Sequence, residues 1–236
     1  MSGAVVVAAL LAGAWQASAV LDSAYSTAAA ANASGAFLVG MDFKANTDGD
    51  VHNLGAFDGG SGFGGYTIQV GLFLDTVDSG GNITGGSLIA SANFSGNGSG
   101  YTRAGGNYLF QSVGDVMLQA GSTYSIVAAN SDGSAANWFY NSAADAGASQ
   151  ITGQNFSGAI TLLNTAGFAN WNSDLTTTFA AYPFSESTYK PLRFGGGNFD
   201  FTPVPEATAF GAAAVGLLGL VYIVRYAGLR RKVKLS

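Results

Sequence analysis

The sequence predicts an all-β protein: an antiparallel β-sandwich of jelly-roll-like type, with an N-terminal signal peptide and a single C-terminal transmembrane helix. Three observations predict the sandwich. Apolar residues recur at every second position in several short stretches. Those stretches are separated by Gly-, Asn-, Ser- and Asp-rich connections. No long segment between residues 20 and 203 carries the period of an amphipathic helix.

Taken in order, the chain begins with the apolar run Ala4-Val-Val-Val-Ala-Ala-Leu-Leu-Ala-Gly-Ala14, which has the length of a signal-peptide core. Ala17-Ser18-Ala19 satisfies the small-x-small cleavage rule, so residues 1–19 are assigned to the signal peptide and the mature chain is expected to start at Val20. Eleven apolar residues are too few to span a bilayer. Residues 20–35 are small and alanine-rich, and read as a loose lead-in, or a short helix, before the rest of the domain that runs to residue 203.

The first strand is expected at Phe37 to Lys44. Phe37, Val39, Met41 and Phe43 share one face and Leu38, Gly40, Asp42 and Lys44 the other, a pattern for a strand covered mainly on one side. In Tyr66-Thr-Ile-Gln-Val-Gly-Leu-Phe-Leu-Asp75, the residues Tyr66, Ile68, Val70, Leu72 and Leu74 share a face, which predicts a central strand. Further strands are expected at Ser87 to Phe94, Tyr108 to Val113, Thr123 to Ala129, near Trp138, at Ala159 to Leu163 and at Leu192 to Phe201. The connections, such as Asp58-Gly-Gly-Ser-Gly-Phe-Gly-Gly65 and Asp78-Ser-Gly-Gly-Asn82, hold residues that accept positive φ or pre-form turns.

Charge and cysteine count exclude several functions. All fourteen acidic residues lie between Asp22 and Glu206, against only Lys44, Arg103, Lys190 and Arg193, which gives that body a formal charge of −10. Such a surface does not hold nucleic acid by charge. The absence of cysteine removes disulfides, thiolate metal sites and cysteine nucleophiles together.

The chain ends in three parts, 204–236: Val204-Pro205-Glu206, an apolar run over about 207–224, and the tail 225–236 with Arg225, Arg230, Arg231, Lys232 and Lys234. As a helix the run is about 27 Å long, close to the hydrocarbon thickness of a bilayer. The basic tail is the orientation signal. By the positive-inside rule it stays in the cytoplasm, so the preceding domain lies outside.

This ending resembles the PEP-CTERM sorting signal of bacterial exported proteins, in which Pro-Glu-Pro precedes one hydrophobic helix and a few arginines. Pro205 and Glu206 match; Ala207 stands where the pattern has its second Pro. The body is similar, more loosely, to the β-sandwich modules that often precede that signal, through Ile68 to Phe73, Ser87-Leu-Ile-Ala-Ser-Ala-Asn-Phe94 and Val116-Met-Leu-Gln-Ala-Gly-Ser-Thr-Tyr-Ser-Ile126. In that last string Gly121 suits a tight turn, and Tyr124 and Ile126 suit a core face. The resemblance implies a membrane-embedded transpeptidase of the exosortase type as partner, recognising Val204, Pro205 and Glu206. It also implies delivery to the cell surface or extracellular matrix, with contact to the membrane through the helix before processing.

For chemistry, the body offers little. The one histidine, His52, reads as a surface residue at a strand edge. Asp42, Asp48, Asp50 and Asp58 could supply the carboxylate pair of an envelope glycoside hydrolase, but acids in Gly- and Asn-rich loops are ordinarily turn formers. Asp48 and Asp50 are also the candidates for a structural calcium, although the string lacks the spacing and terminal Glu of an EF-hand loop. The run Gly59 to Gly65 has glycines like a phosphate loop but no Lys-Ser/Thr after them. The aromatics Trp138, Tyr140 and Trp171 lie in loop-like sequence and are the candidates for stacking on extracellular polysaccharide. The reading from sequence is thus a non-catalytic exported protein without a cofactor, with a carbohydrate-binding or adhesin module as the alternative and an envelope hydrolase as the second.

Overall fold

The computed structural model describes residues 21, 23–27, 37–60, 62–105, 107–130, 141–142, 151–154, 158–163, 168–170 and 193–204. These residues form strands and turns, with no helix among them. The chain divides into two compact units, Met1–Thr202 and Pro203–Ser236.

In the first unit the strands are β1 (Tyr25–Thr27), β2 (Phe37–Ala45), β3 (Gly49–Phe57), β4 (Gly64–Val77), β5 (Ile83–Gly96), β6 (Thr102–Ala104), β7 (Tyr108–Leu118) and β8 (Thr123–Asn130), followed by β9 (Asn141–Ser142), β10 (Ile151–Gln154), β11 (Ile160–Leu162), β12 (Phe168–Asn170), β13 (Arg193–Phe194) and β14 (Gly197–Phe199). One sheet has the order β11–β2–β8–β4–β5, with β12 also beside β2; the other runs β14–β3–β7–β6. Two further short pairs are β1 with β10 and β13 with β9, and all these ladders are antiparallel.

One apolar core joins the inward faces of the two sheets, and the fold is all-β and sandwich-like. From the first sheet it takes Val39, Met41 and Phe43 of β2, Ile68, Val70 and Leu72 of β4, Phe94 of β5, and Tyr124 and Ile126 of β8; from the second, Val51 and Leu54 of β3, Tyr108 and Phe110 of β7, and Phe199 of β14. The rings of Phe43 and Phe199 stack across the two sheets with centroids 4.4 Å apart. Alternation on β2, β4 and β8 therefore predicts the inward face correctly, and β4 lies inside the sheet, between β8 and β5.

The outer face of this first sheet differs from expectation. Gln69, Phe73 and Asp75 of β4, Asp42 of β2, and Ser125, Val127 and Ala129 of β8 are all buried, so the middle strands are covered on both sides rather than mainly on one. Conversely Leu74, on the inward-facing phase of β4, is 40% exposed where burial on that face runs out near the strand end.

Three segments differ from the expectation drawn from the sequence. Gly49–Phe57, where the sequence suggests a turn at Asp48 to Asp50 and a strand edge at His52, is β3, flanked by β14 and β7 in its sheet. The lead-in is not loose where it is described. Ser23 bridges to Asp200, the Ala24 amide donates to the Phe199 carbonyl at 2.7 Å, and Tyr25 is fully buried with its ring edge-on to Tyr108. The stretch Leu192 to Phe201, expected as one strand, is divided into β13 and β14 by a turn at Gly195–Gly196.

Candidate functional site

Three arrangements among the described residues engage acidic side chains in side-chain hydrogen bonds. The first lies across β2, β8 and β4 on the buried outer face of the first sheet. Ser125 stands opposite Asp42 in the β2–β8 register. Its Oγ is 2.8 Å from Asp42 Oδ1 and 2.8 Å from Asp75 Oδ1. A hydroxyl has one proton, so Ser125 donates to one carboxylate at a time. The two carboxylate oxygens are then at most twice that distance apart, short of the roughly 6.5–9.5 Å that an inverting glycosidase needs to seat its water. Access is what this trio lacks: Asp42 is 5% exposed, Asp75 9% and Ser125 not at all. Nor is there an imidazole to activate the hydroxyl, because the one histidine sits on the other sheet.

The second arrangement is built on a β-bulge. The β3–β7 register shifts between Val51 and Asn53. A bulge withdraws backbone amides from the ladder, and here the Asp200 carboxylate receives them. Its Oδ1 accepts from the amides of His52 at 2.8 Å and Asn53 at 2.7 Å, while Oδ2 accepts from Asn53 Nδ2 at 2.7 Å. His52 thus sits within β3 at the bulge, not at a strand edge, and its Nδ1 reaches Asp115 Oδ1 on β7 at 2.9 Å. That pair is open to solvent, with side-chain exposures of 39% and 86%.

The third is the Gly-rich loop after β3. Asp58 folds its carboxylate back over the loop and accepts from the amides of Gly60 and Gly62, each at 3.0 Å. Arg103 grips the same carboxylate in a two-pronged pair, Nη1 to Oδ1 at 2.7 Å and Nη2 to Oδ2 at 2.5 Å. The hydrogen bonds to Asp58 raise the Arg103 pKa. These are the amides that a phosphate loop would offer to an anion, and the chain's own carboxylate already occupies them.

Asp48 and Asp78 do similar work. Asp48 Oδ1 accepts from the Ala120 amide at 2.7 Å and so ties the β2–β3 connection to the β7–β8 turn, while Asp50 lies within β3 opposite Met117. Asp78 Oδ1 accepts from the Gly80 and Asn82 amides, each at 2.8 Å. Among the described residues no three His, Cys, Asp or Glu side chains come together as a metal-binding group.

Most residues singled out from the sequence lie outside the described residues: the cleavage pair Ala17 and Ala19, the aromatics Trp138, Tyr140 and Trp171, the motif residues Pro205 and Glu206, and the basic Arg225, Arg230, Arg231, Lys232 and Lys234. Val204 is described and is 41% exposed. Sequence reasoning missed the Asp42–Ser125–Asp75 contact, because Asp75 and Ser125 were read only as strand positions, and it missed Asp200 at the bulge. The alternating pattern carries a signal for the first, in that Asp42, Ser125 and Asp75 interrupt otherwise apolar or small runs. No family model matches the chain, and no curated protein matches it either.

Proposed function

We propose that this chain is an exported bacterial surface or extracellular-matrix protein whose β-sandwich body is delivered by a PEP-CTERM-like signal and acts without catalysis. The observation that carries the proposal is the order of the last 33 residues: Val204-Pro205-Glu206, an uncharged and mainly apolar run over 207–224, then five basic residues and no acid. Each part has its own physical task. The run is long enough to cross a bilayer as a helix, the charges hold its end in the cytoplasm, and the motif sits at the outer boundary where a membrane-embedded transpeptidase of the exosortase type can reach it. Residues 1–19 serve as the export signal, with cleavage after Ala19.

A jelly-roll-like winding of the body is supported by the strand order. β8 lies between β2 and β4 in one sheet while β7, the strand before it, lies beside β3 in the other. A β7–β8 pair that comes late in the chain and slots beside β2 and β3 in this way is the crossing a jelly roll requires. The non-catalytic reading is supported by the employment of the described acids: Asp48, Asp58, Asp78 and Asp200 hold backbone amides, and Asp42 and Asp75, which share the Ser125 hydroxyl, are buried.

The test is replacement of Arg230, Arg231 and Lys232 by Gln in the native host. Sorting and retention of the body at the envelope are expected to fail. Unchanged processing in that variant contradicts the proposed role of the tail.

A further inference from the structure

The strands that close the sheets are mostly short. β11 and β12 at one side of the first sheet, and β14 and β6 at the sides of the second, have three residues each. Beyond β6, Gln111 to Leu118 of β7 is also bare among the described strands, but Gly114 there takes φ +82° and Asp115 places a charge on it. Short strands, twists and charges are the devices by which a sheet edge avoids pairing with another chain. β5 has few of them. It runs for fourteen residues, Ile-Thr-Gly-Gly-Ser-Leu-Ile-Ala-Ser-Ala-Asn-Phe-Ser-Gly, with no charge and no proline, and no described strand lies beyond it.

Backbone geometry shows which groups face outward. The Ser95 amide donates to Tyr101 Oη at 3.1 Å instead of to β4, so by the alternation of an antiparallel ladder the amides of Asn93 and Ser91 also point away from β4. Both residues are exposed. Apolar surface accompanies them. Of the five large apolar side chains exposed among the described residues, Leu74, Val77 and Leu88 belong to the β4–β5 hairpin, with Leu74 opposite Ser87, Val77 opposite Ile83 and Leu88 opposite Phe73.

We infer that β5 is a self-association edge, on which a second copy of this chain pairs its own β5 antiparallel about a two-fold axis. Net charge alone keeps such bodies apart, so the occupant follows from the strand: a second copy offers the same long, uncharged edge. The body carries a formal −10, so a copy approaching by an acidic face meets like charge, whereas β5 against β5 sets only uncharged residues opposite one another. The same strand on both partners makes the contact isologous. It also ends growth at two, because the far side of the sheet is closed by the three-residue β11 and β12.

Sedimentation velocity on the purified full-length chain, over a wide range of concentration, tests this. The unaltered protein is expected to dimerise. Asn93→Lys, which puts a charge on the exposed strand, and Ser91→Pro, which deletes an outward amide, are each expected to weaken the dimer by about tenfold or more. Met117→Lys, on the other sheet, is expected to leave it unchanged. Asn93→Lys alters an exposed side chain and should keep the parent melting temperature, so loss of dimer in that variant is not unfolding. A chain that stays monomeric at every concentration overturns the inference, as does a dimer indifferent to both β5 substitutions.

Discussion

Asp200 holds Asn53 twice, through its backbone amide and its side-chain amide, each at 2.7 Å, and so fixes the bulge that interrupts β3. The same carboxylate takes the His52 amide. Hydrogen bonds to a charged acceptor contribute about 1.5–3 kcal/mol each, and buried amides left without an acceptor add to the loss. Asp200→Ala is therefore expected to destabilise the fold by about 3 kcal/mol or more. Asp200→Asn, which keeps the shape but turns donors toward donors, should fall between Ala and the parent. Chemical denaturation midpoints of the three proteins check the order.

Tyr25 tests whether the lead-in belongs to the core. Its side chain is fully buried and its carbonyl accepts from Asn198 Nδ2 at 2.9 Å and Ser23 Oγ at 3.0 Å. Removing a buried aromatic ring costs about 3–5 kcal/mol. Tyr25→Ala should show a loss of that size in thermal or denaturant unfolding, and a change below about 1 kcal/mol would mean that the segment is dispensable.

Gly40 tests the close approach of β2 and β8. A methyl group built there would fall on the carbonyl oxygen of Ile126, backbone against backbone, where no side chain can turn aside. Gly40→Ala is expected to cost about 1–3 kcal/mol or more by forcing the strands apart. Amide exchange should accelerate at Val39 to Met41 and at their partners Ile126 to Ala128.

The turn after β4 carries a pH dependence. Hydrogen bonds from the Asn82 amide, then from the Asn82 side chain, then from the Gly80 and Gly81 amides, hold the Asp78 carboxyl below its ordinary value of 3.8. A carboxyl lowered on folding stabilises the turn fully above that ordinary value, and the contribution fades as pH falls through the folded pKa. Exchange of the Gly80 and Asn82 amides should thus accelerate at acid pH. Asp78→Asn should abolish the pH dependence of that acceleration.

Much of the sandwich was legible in the sequence because alternation is a local signal. β2, β4, β5 and β8 are found where Val39, Met41, Ile68, Val70, Ala92, Phe94, Tyr124 and Ile126 repeat every second residue. β3 was not legible, and the bulge explains why. Val51 and Leu54 are both buried in the core although three positions separate them, a spacing that no uninterrupted strand puts on one face. Asp42, Ser125 and Asp75 escaped for a different reason. They lie far apart in sequence and meet only through the pairing of β2, β8 and β4, which alternation does not specify. The turn-forming role of Asp58 and Asp78 was legible, since Asp followed by Gly or Ser-Gly is itself the local code for such loops.

The central claim concerns delivery: the body is exported and its tail is an address that is removed. Intact-mass measurement on the protein isolated from its native cell envelope tests it most directly. The account predicts a mature chain that starts at Val20 and ends at or near Val204 to Glu206, free of residues 207–236. A mass that still includes the apolar run and the basic tail contradicts it.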